Sequence, residues 1–167
     1  GPMTAGEGDG KAAAKKPVAR GRKKKQAEPA TRGLTAAQTA QGTPPAAVAK
    51  LAAAIETEGG SVLAVFRDPL GGNWQILAAL PLEIVRPTPF QRDLSETHAA
   101  RLAQAIDGLD RFLDPVIAVR AEAGVYWTPN GLHRTAALRA LGGRTVTALV
   151  LPEMETAYRI LALNTEK

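Results

Sequence analysis

The sequence contains no cysteine, few aromatic residues and no long hydrophobic run. The absence of cysteine excludes disulfides, thiolate metal sites and a cysteine nucleophile, and it fits a reducing compartment. Aromatic residues make up only 4% of the chain, so the core must be built mainly from alanine, leucine and valine. No apolar run approaches the roughly 18 residues of a membrane-spanning helix, and no signal peptide is visible. We therefore expect a cytoplasmic protein without membrane attachment.

Positive charge is concentrated at the N-terminus. Residues 1–33 contain nine lysines and arginines but only three acidic residues, whereas residues 34–167 have a net charge of −1. Residues 1–44 contain no aromatic residue and are rich in small and polar residues. Such a segment cannot bury enough apolar surface to offset the entropy that it loses on ordering. We predict a disordered basic tail over residues 1–44, in which Gly1-Pro2 is typical of a scar left by tag cleavage.

The basic run in this tail indicates contact with DNA, which would make the protein nucleoid-associated. Arg20-Gly21-Arg22 resembles the core of an AT-hook, which reads A·T-rich DNA by minor-groove shape, although Lys23 stands where proline is usual. The alternative is a solubilising tail that binds polyanions without selectivity, and the sequence leaves it open. The residues predicted to contact DNA are Lys15, Lys16, Arg20, Arg22, Lys23, Lys24 and Lys25.

The rest of the chain alternates helix and strand signals. Residues 45–79 contain an alanine-rich run of high helix propensity and then two apolar runs that flank turn residues. They predict a helix and a β-hairpin that extend a domain formed by residues 80–167. In that domain the strand patterns cover residues 82–85, 115–119, 125–127 and 144–150. Its helices are predicted to start at the capping-box sequence Asp93-Leu94-Ser95-Glu96, near Gly131 and at Pro152.

These patterns predict an α/β (α+β) fold in which a small mixed sheet packs with helices. Within it, the strongest chemical signal is the strand–turn–helix segment at residues 125–137. A glycine at its turn, Gly131, lets backbone approach a ligand, and the following helix offers unpaired N–H groups at its positive end. Arg134 in the first turn is disfavoured by the helix dipole, a conflict that a bound phosphate would remove. The alternative is that Asn130 merely caps the helix and that His133 and Arg134 are solvated.

Several motifs occur in an order that is typical of one family. They are Leu82–Val85, Pro89–Arg92, Phe112–Val119, Gly131–Arg134 with Ala136-Ala137, and Leu141-Gly142. In order and spacing they resemble the N-terminal domain of ParB proteins, which belong to the ParB/sulfiredoxin-fold superfamily and act in chromosome segregation. The resemblance covers about residues 80–167. It implies a pocket for CTP or ATP with Mg²⁺ in a DNA-associated protein, with a homodimer as a further expectation.

The resemblance also implies which residues form the pocket. In ParB a Gly-Glu-Arg-Arg turn grips the phosphates, and Gln-Pro-Arg and Glu-Asn-x-x-Arg segments complete the site. The corresponding residues here, with their neighbours, are Gln91, Arg92, Asp114, Thr128, Asn130, Gly131, Leu132, His133, Arg134, Asn164, Glu166 and Lys167. Leu132 and Leu163 stand where ParB has acidic residues. Asp114 and Glu166 are therefore the carboxylates that the resemblance offers as metal ligands.

Two related chemistries share the Gly-x-His-Arg turn. Sulfiredoxin has cysteine where this chain has Leu132, so its reductase reaction is excluded. Free-serine kinases need a carboxylate base near the position of Gln91, and an amide cannot take up a proton at neutral pH. We therefore expect a nucleotide-dependent switch with slow or absent hydrolysis, whose catalytic residues the sequence does not identify. The alternatives are an ATP-dependent small-molecule phosphotransferase and a DNA-binding adaptor with a vestigial pocket.

Overall fold

A computed structural model describes residues 30–91 and 93–165, with side chains up to residue 163. The described chain forms a six-stranded mixed sheet with helices, so the predicted α/β fold is confirmed. The helices are α1 (Ala36–Thr39), α2 (Ala46–Thr57), α3 (Glu96–Leu109), α4 (Leu132–Ala140) and α5 (Met154–Thr165). The strands are β1 (Ser61–Arg67), β2 (Trp74–Pro81), β3 (Val85–Pro87), β4 (Val116–Glu122), β5 (Val125–Thr128) and β6 (Thr145–Val150).

The sheet topology brings two loops together at one end of the sheet. The strand order is β1-β2-β6-β4-β5-β3. Neighbours β4 and β6 run parallel, as do β3 and β5, and the remaining pairs are antiparallel. Because Pro87 at the end of β3 lies opposite Thr128 at the end of β5, the segments that follow these two strands are neighbours. The segment after β5 is the predicted phosphate turn.

Helices pack against both faces of the sheet. Because side chains alternate along a strand, each buried strand contributes residues to both faces. Along β4, Val116 and Ala118 belong to a large aliphatic cluster that also contains residues of α2 and α4. Ile117 and Val119 point to the opposite face, where they pack with residues of α5. Tyr126 on β5 is the largest fully buried side chain in the described part of the chain.

The predicted strand at residues 82–85 is wrong in its first three residues. Leu82–Ile84 form a 3₁₀ helix, and the strand begins only at Val85. A cation from a distant helix fixes this bend, because the Arg139 guanidinium donates to the carbonyl oxygens of Leu82 (2.9 Å) and Val85 (2.6 Å). Pro87 is tolerated in the short strand because β3 lies at the edge of the sheet.

Ordered structure begins earlier than composition predicts. Composition predicts disorder through residue 44, but residues 33–44 belong to the same compact unit as the sheet. The Leu34 amide donates to the Pro69 carbonyl at 2.7 Å, and the Arg67 guanidinium donates to the Gln38 carbonyl at 3.1 Å. Most of the groups in these two hydrogen bonds to the β1–β2 hairpin are backbone groups. Amino-acid composition therefore does not predict that this segment is ordered. Residues 1–29 lie outside the described residues, and their disorder stays a prediction.

The boundary predicted at residue 80 does not separate two structural units. The hairpin of β1 and β2 supplies two of the six strands, and β2 pairs along its length with β6 of the C-terminal part. Leu80, at the predicted boundary, is fully buried opposite Val146. The proposed N-terminal extension is therefore an integral part of the sheet.

Replacing Gly33 by alanine is expected to lower the free energy of unfolding by about 1–3 kcal/mol. Gly33 has a φ of +94°, and an added Cβ would lie 2.2 Å from the Pro69 carbonyl oxygen. The matched control is Gly108→Ala in α3, where a Cβ meets nothing within 4 Å and no loss is expected. Chemical denaturation of both variants provides the measurement. An unchanged stability for Gly33→Ala would show that residues 33–44 do not dock.

Candidate functional site

The candidate site is the start of α4, directly after β5. Gly131 occupies the N-cap position but makes no side-chain cap bond, and the first turn contains no acidic residue. The Thr135 amide donates to the Gly131 carbonyl at 2.9 Å, which closes the first helical turn. The first amides of an α-helix generally have no acceptor within the helix, and they concentrate positive potential at that end. The arrangement favours an anion.

Gly131 and Asn130 shape the turn, for reasons that differ from those predicted. Gly131 has a φ of −112°, and a Cβ there would lie 2.7 Å from both Thr128 Oγ1 and Val116 Cγ1. The glycine is thus required by close packing of the turn against β4. Asn130 does not cap α4, because its Oδ1 accepts from the Ile117 amide at 3.0 Å. The alternative that Asn130 is a helix cap is therefore wrong.

Arg134 is held beside the helix start by the loop that precedes β4. Its Nη1 donates to the carbonyl oxygens of Asp114 (3.1 Å) and Pro115 (3.0 Å), and its Nε lies 3.3 Å from Asp114 Oδ2. The Arg134 side chain is only 20% exposed, so the alternative of a solvated arginine is wrong. These contacts fix the guanidinium and leave Nη2 without a hydrogen-bond partner among the described residues.

His133 connects the start of α4 to the start of α3. Its Nε2 accepts from the Ser95 amide at 2.9 Å, so a neutral His133 ring carries its hydrogen on Nδ1. The His98 ring stands edge-on to it, with centroids 4.5 Å apart. The alternative of a solvated His133 is therefore wrong. Sequence reasoning gave His98 no part in this cluster, because the contact joins residues 35 positions apart.

The start of α3 is capped by Ser95 and not by the predicted capping box. Ser95 Oγ accepts from the His98 amide at 3.2 Å, and the helix begins at Glu96. The two polar residues Asp93 and Ser95 are both good caps in sequence, so only the structure selects between them. With Ser95 as the N-cap of α3, the Ser95 amide donates to the His133 ring.

Thr88 and Gln91 follow the edge strand β3 and bind the segment that leads into α4. The Thr88 amide donates to the Thr128 carbonyl at 3.2 Å, and Gln91 Nε2 donates to the Pro129 carbonyl at 3.2 Å. Thr88 Oγ1 and Gln91 Oε1 are buried and have no hydrogen-bond partner among the residues that the structure describes. Buried polar atoms without partners are costly, so their clustering beside the turn marks a specialised region. Sequence reasoning identified Gln91 but missed Thr88.

The remaining predicted site residues are only partly described. Leu132 is half-buried at the first position of α4, and Asp114 is paired with Arg134. Asn164 lies in α5, with only its backbone described. Outside the described residues lie Arg92, Glu166, Lys167 and all the residues predicted to contact DNA.

The described residues contain neither a cluster of metal-ligating side chains nor a membrane-spanning helix. Within residues 30–91 and 93–165, no group of three or more His, Cys, Asp or Glu side chains could hold a metal ion. In the same part of the chain, no helix is long and apolar enough to cross a bilayer. Asp114 is 73% exposed and its carboxylate is directed to the Arg134 guanidinium, whereas Glu166, the other predicted metal ligand, lies outside the described residues.

A second polar cluster includes Tyr126 of β5, five residues before Gly131 at the start of α4. The Glu58 carboxylate, at the end of α2, accepts from the Arg120 guanidinium and from the Tyr126 hydroxyl at 2.7 Å. Its hydrogen bonds with Arg120, and to a smaller extent that with Tyr126, lower the pKa of Glu58 to about 2 against the opposing effect of burial. Burial raises the pKa of Tyr126 above its ordinary range. This cluster joins the end of α2 to β5, the strand that precedes the candidate site.

Similarity to known proteins is found among solved structures. No family model matches the chain, and no curated protein sequence matches it. Among solved structures, it is similar to sulfiredoxin from Arabidopsis thaliana, with 24% identity, a TM-score of 0.42, and coverage of 51% of this chain and 96% of that one. It is also similar to a C-terminally truncated chromosome-partitioning protein ParB from Caulobacter crescentus, complexed with CTP-γ-S. That match has 25% identity and a TM-score of 0.43, and it covers 53% of this chain and 52% of ParB.

A free serine kinase in complex with AMP is a third similar structure. It shows 20% identity and a TM-score of 0.41, and the match covers 45% of this chain but only 30% of the kinase. In these three matches the TM-score lies between 0.41 and 0.43, and about half of this chain is covered. The similarity is partial, low in identity and confined to the fold.

Proposed function

We propose that this protein binds a nucleoside triphosphate whose phosphates lie at the N-terminus of α4. The observation that carries the proposal is the uncapped helix start, with no acidic residue in its first turn and the Arg134 guanidinium fixed beside it. Backbone amides at such a helix start, together with an arginine, are the donors that phosphate oxygens accept. The ParB and kinase structures to which the chain is similar contain CTP-γ-S and AMP, and both ligands are nucleotides.

The finer form of the proposal is a CTP- or ATP-dependent switch in a cytoplasmic, nucleoid-associated protein. Mg²⁺ would arrive with the triphosphate, because the described residues supply no cluster of metal ligands. Asp114 is the described carboxylate beside the site, and it would have to leave Arg134 in order to reach a metal. Binding without efficient turnover is the expected behaviour of such a site.

The proposal is tested by the melting temperature of the protein with each of the four nucleoside triphosphates and Mg²⁺. A ligand that binds only the folded state stabilises it by roughly 2.7 kcal/mol when present at a hundred times its dissociation constant. We expect a clear rise with CTP or ATP. The control is a variant in which Arg20, Arg22 and Lys23–Lys25 are replaced by glutamine, because the basic tail also attracts phosphates. A rise that disappears in this variant would contradict binding at α4.

Turnover is expected to lie far below the ordinary enzyme range of about 1–1,000 per second. Hydrolysis requires a metal held in place and a positioned water, and Leu132 stands where the ParB turn has an acidic residue. Phosphate release with each triphosphate, with and without DNA, gives the rate. A rate near one per second that is lost in Asp114→Asn would show that Asp114 does hold a catalytic metal.

We also propose that the basic tail contacts DNA. If five to seven phosphates are neutralised, the logarithm of the binding constant should fall with the logarithm of salt concentration, with a slope of roughly −5 to −6. Deleting residues 1–29 leaves the docked residues from Gly33 onward intact and should abolish this slope. Duplex DNA binding that is equally strong after the deletion would place the DNA contact elsewhere.

A further inference from the structure

Residue Phe90 combines a strained backbone with complete exposure. Thr88-Pro89-Phe90-Gln91 forms a turn closed by the Gln91 amide, which donates to the Thr88 carbonyl at 3.3 Å. Phe90 occupies the third position with a φ of +71°, and the residue is 95% exposed. Proline followed by a residue with positive φ is the pattern of a type II turn, whose third position favours glycine or asparagine.

Folding stability does not explain a phenylalanine at this position. A residue with a Cβ loses free energy in the left-handed region, and an exposed ring recovers none of it by burial. Strain that the fold does not need is typical of binding sites. The turn is tied to the candidate site, because the Thr88 amide and the Gln91 side chain donate to the carbonyls of Thr128 and Pro129. Phe90 is therefore held beside the segment that leads into α4.

We propose that Phe90 is the surface on which the base of the bound nucleotide stacks. This inference rests on the proposed function and identifies the second end of the ligand. The start of α4 supplies donors for phosphates, whereas a flat apolar ring suits the face of a base. Every base has such a face, so stacking on Phe90 adds affinity without selecting between CTP and ATP.

The test compares nucleotides with a ligand that has phosphates but no base. The full chain is titrated with CTP, ATP and inorganic tripolyphosphate, each with Mg²⁺, as wild type, Phe90→Gly and Phe90→Trp. We expect Phe90→Gly to weaken nucleotide binding about 5- to 150-fold, as loss of one stacking contact implies, and to leave tripolyphosphate binding unchanged. Phe90→Trp should retain nucleotide affinity. The melting temperature of Phe90→Gly without ligand should not fall, because glycine relieves the strain.

Each outcome has one meaning. Nucleotide affinity that is unchanged in Phe90→Gly, or an equal loss for nucleotide and tripolyphosphate, overturns the stacking role and leaves the phosphate site intact. A wild-type protein that binds neither nucleotide nor tripolyphosphate overturns the proposed function, and the stacking role with it. Binding of tripolyphosphate but of no nucleotide overturns both nucleotide binding and the stacking role, and leaves only an anion site.

Discussion

Replacing Glu58 by glutamine is expected to lower the free energy of unfolding by about 3 kcal/mol at neutral pH. The carboxylate is the common acceptor for the Arg120 guanidinium and the Tyr126 hydroxyl, and its side chain is only 13% exposed. A neutral amide in its place leaves the arginine charge without a counterion and cannot accept all of these bonds. Because Tyr126 lies on β5, the loss should affect the whole sheet.

Ionisation of the Glu58 carboxylate should also make the free energy of unfolding depend on pH. The pKa of Glu58 falls from 4.5 to about 2 in the folded protein, chiefly through its hydrogen bonds with Arg120. The folded state thus binds fewer protons than the unfolded state in this range. The stabilisation is present above about pH 4.5 and is lost as the pH falls towards 2. Denaturation measured from pH 7 to pH 2.5 should show this loss in the wild type and much less of it in Glu58→Gln.

A matched control separates this effect from a general change of charge. Glu83→Gln removes the same charge from an exposed glutamate in the 3₁₀ helix, and it should change stability by less than about 0.5 kcal/mol. Equal effects of the two substitutions, or a wild type whose stability is flat between pH 4.5 and 2.5, would show that the Glu58 cluster is not formed.

Replacing Arg134 by alanine is expected to weaken nucleotide binding by about 1.5–3 kcal/mol, the range for a hydrogen bond with a charged group. The variant should also be less stable without ligand, by about 1 kcal/mol, because Arg134 holds the loop at Asp114 and Pro115. Arg134→Lys keeps the charge but loses the planar fork, so it should recover only part of the affinity. Calorimetric titration of the better-binding nucleotide gives the affinities.

The control for this experiment is Arg101→Ala, which removes the same charge from an exposed position on α3. It should leave both affinity and stability nearly unchanged. Nucleotide affinity that is equal in wild type and Arg134→Ala would refute the role of this arginine. A loss that is equally large in Arg101→Ala would indicate that only the net charge of the protein matters.

Local patterns were sufficient to predict most of the elements. The β1–β2 hairpin follows from two apolar runs around turn residues, and the start of α4 was predicted near Gly131. These signals are contained within a few neighbouring residues, which is why they can be read from the sequence. The start of α4 as the candidate site was found for the same reason.

Contacts between distant residues were not predictable. Arg139 donates to the carbonyls of Leu82 and Val85, and the His133 ring accepts from the Ser95 amide. In each of these contacts the two residues are more than 35 positions apart in the sequence. The role of Gly131 also depends on Val116 of another strand. In each case the physical cause lies in the packing of one element against another, and a single sequence contains no record of it.

The central claim is that phosphates bind at the start of α4, and amide chemical shifts test it most directly. Heteronuclear NMR spectra of the labelled protein are recorded during titration with CTP or ATP and Mg²⁺. We predict that the largest shifts occur at the amides of residues 131–134, because these groups would donate to the phosphates. Shifts confined to the basic residues of the N-terminal tail, or no shifts at residues 131–134 under saturating nucleotide, would contradict the account.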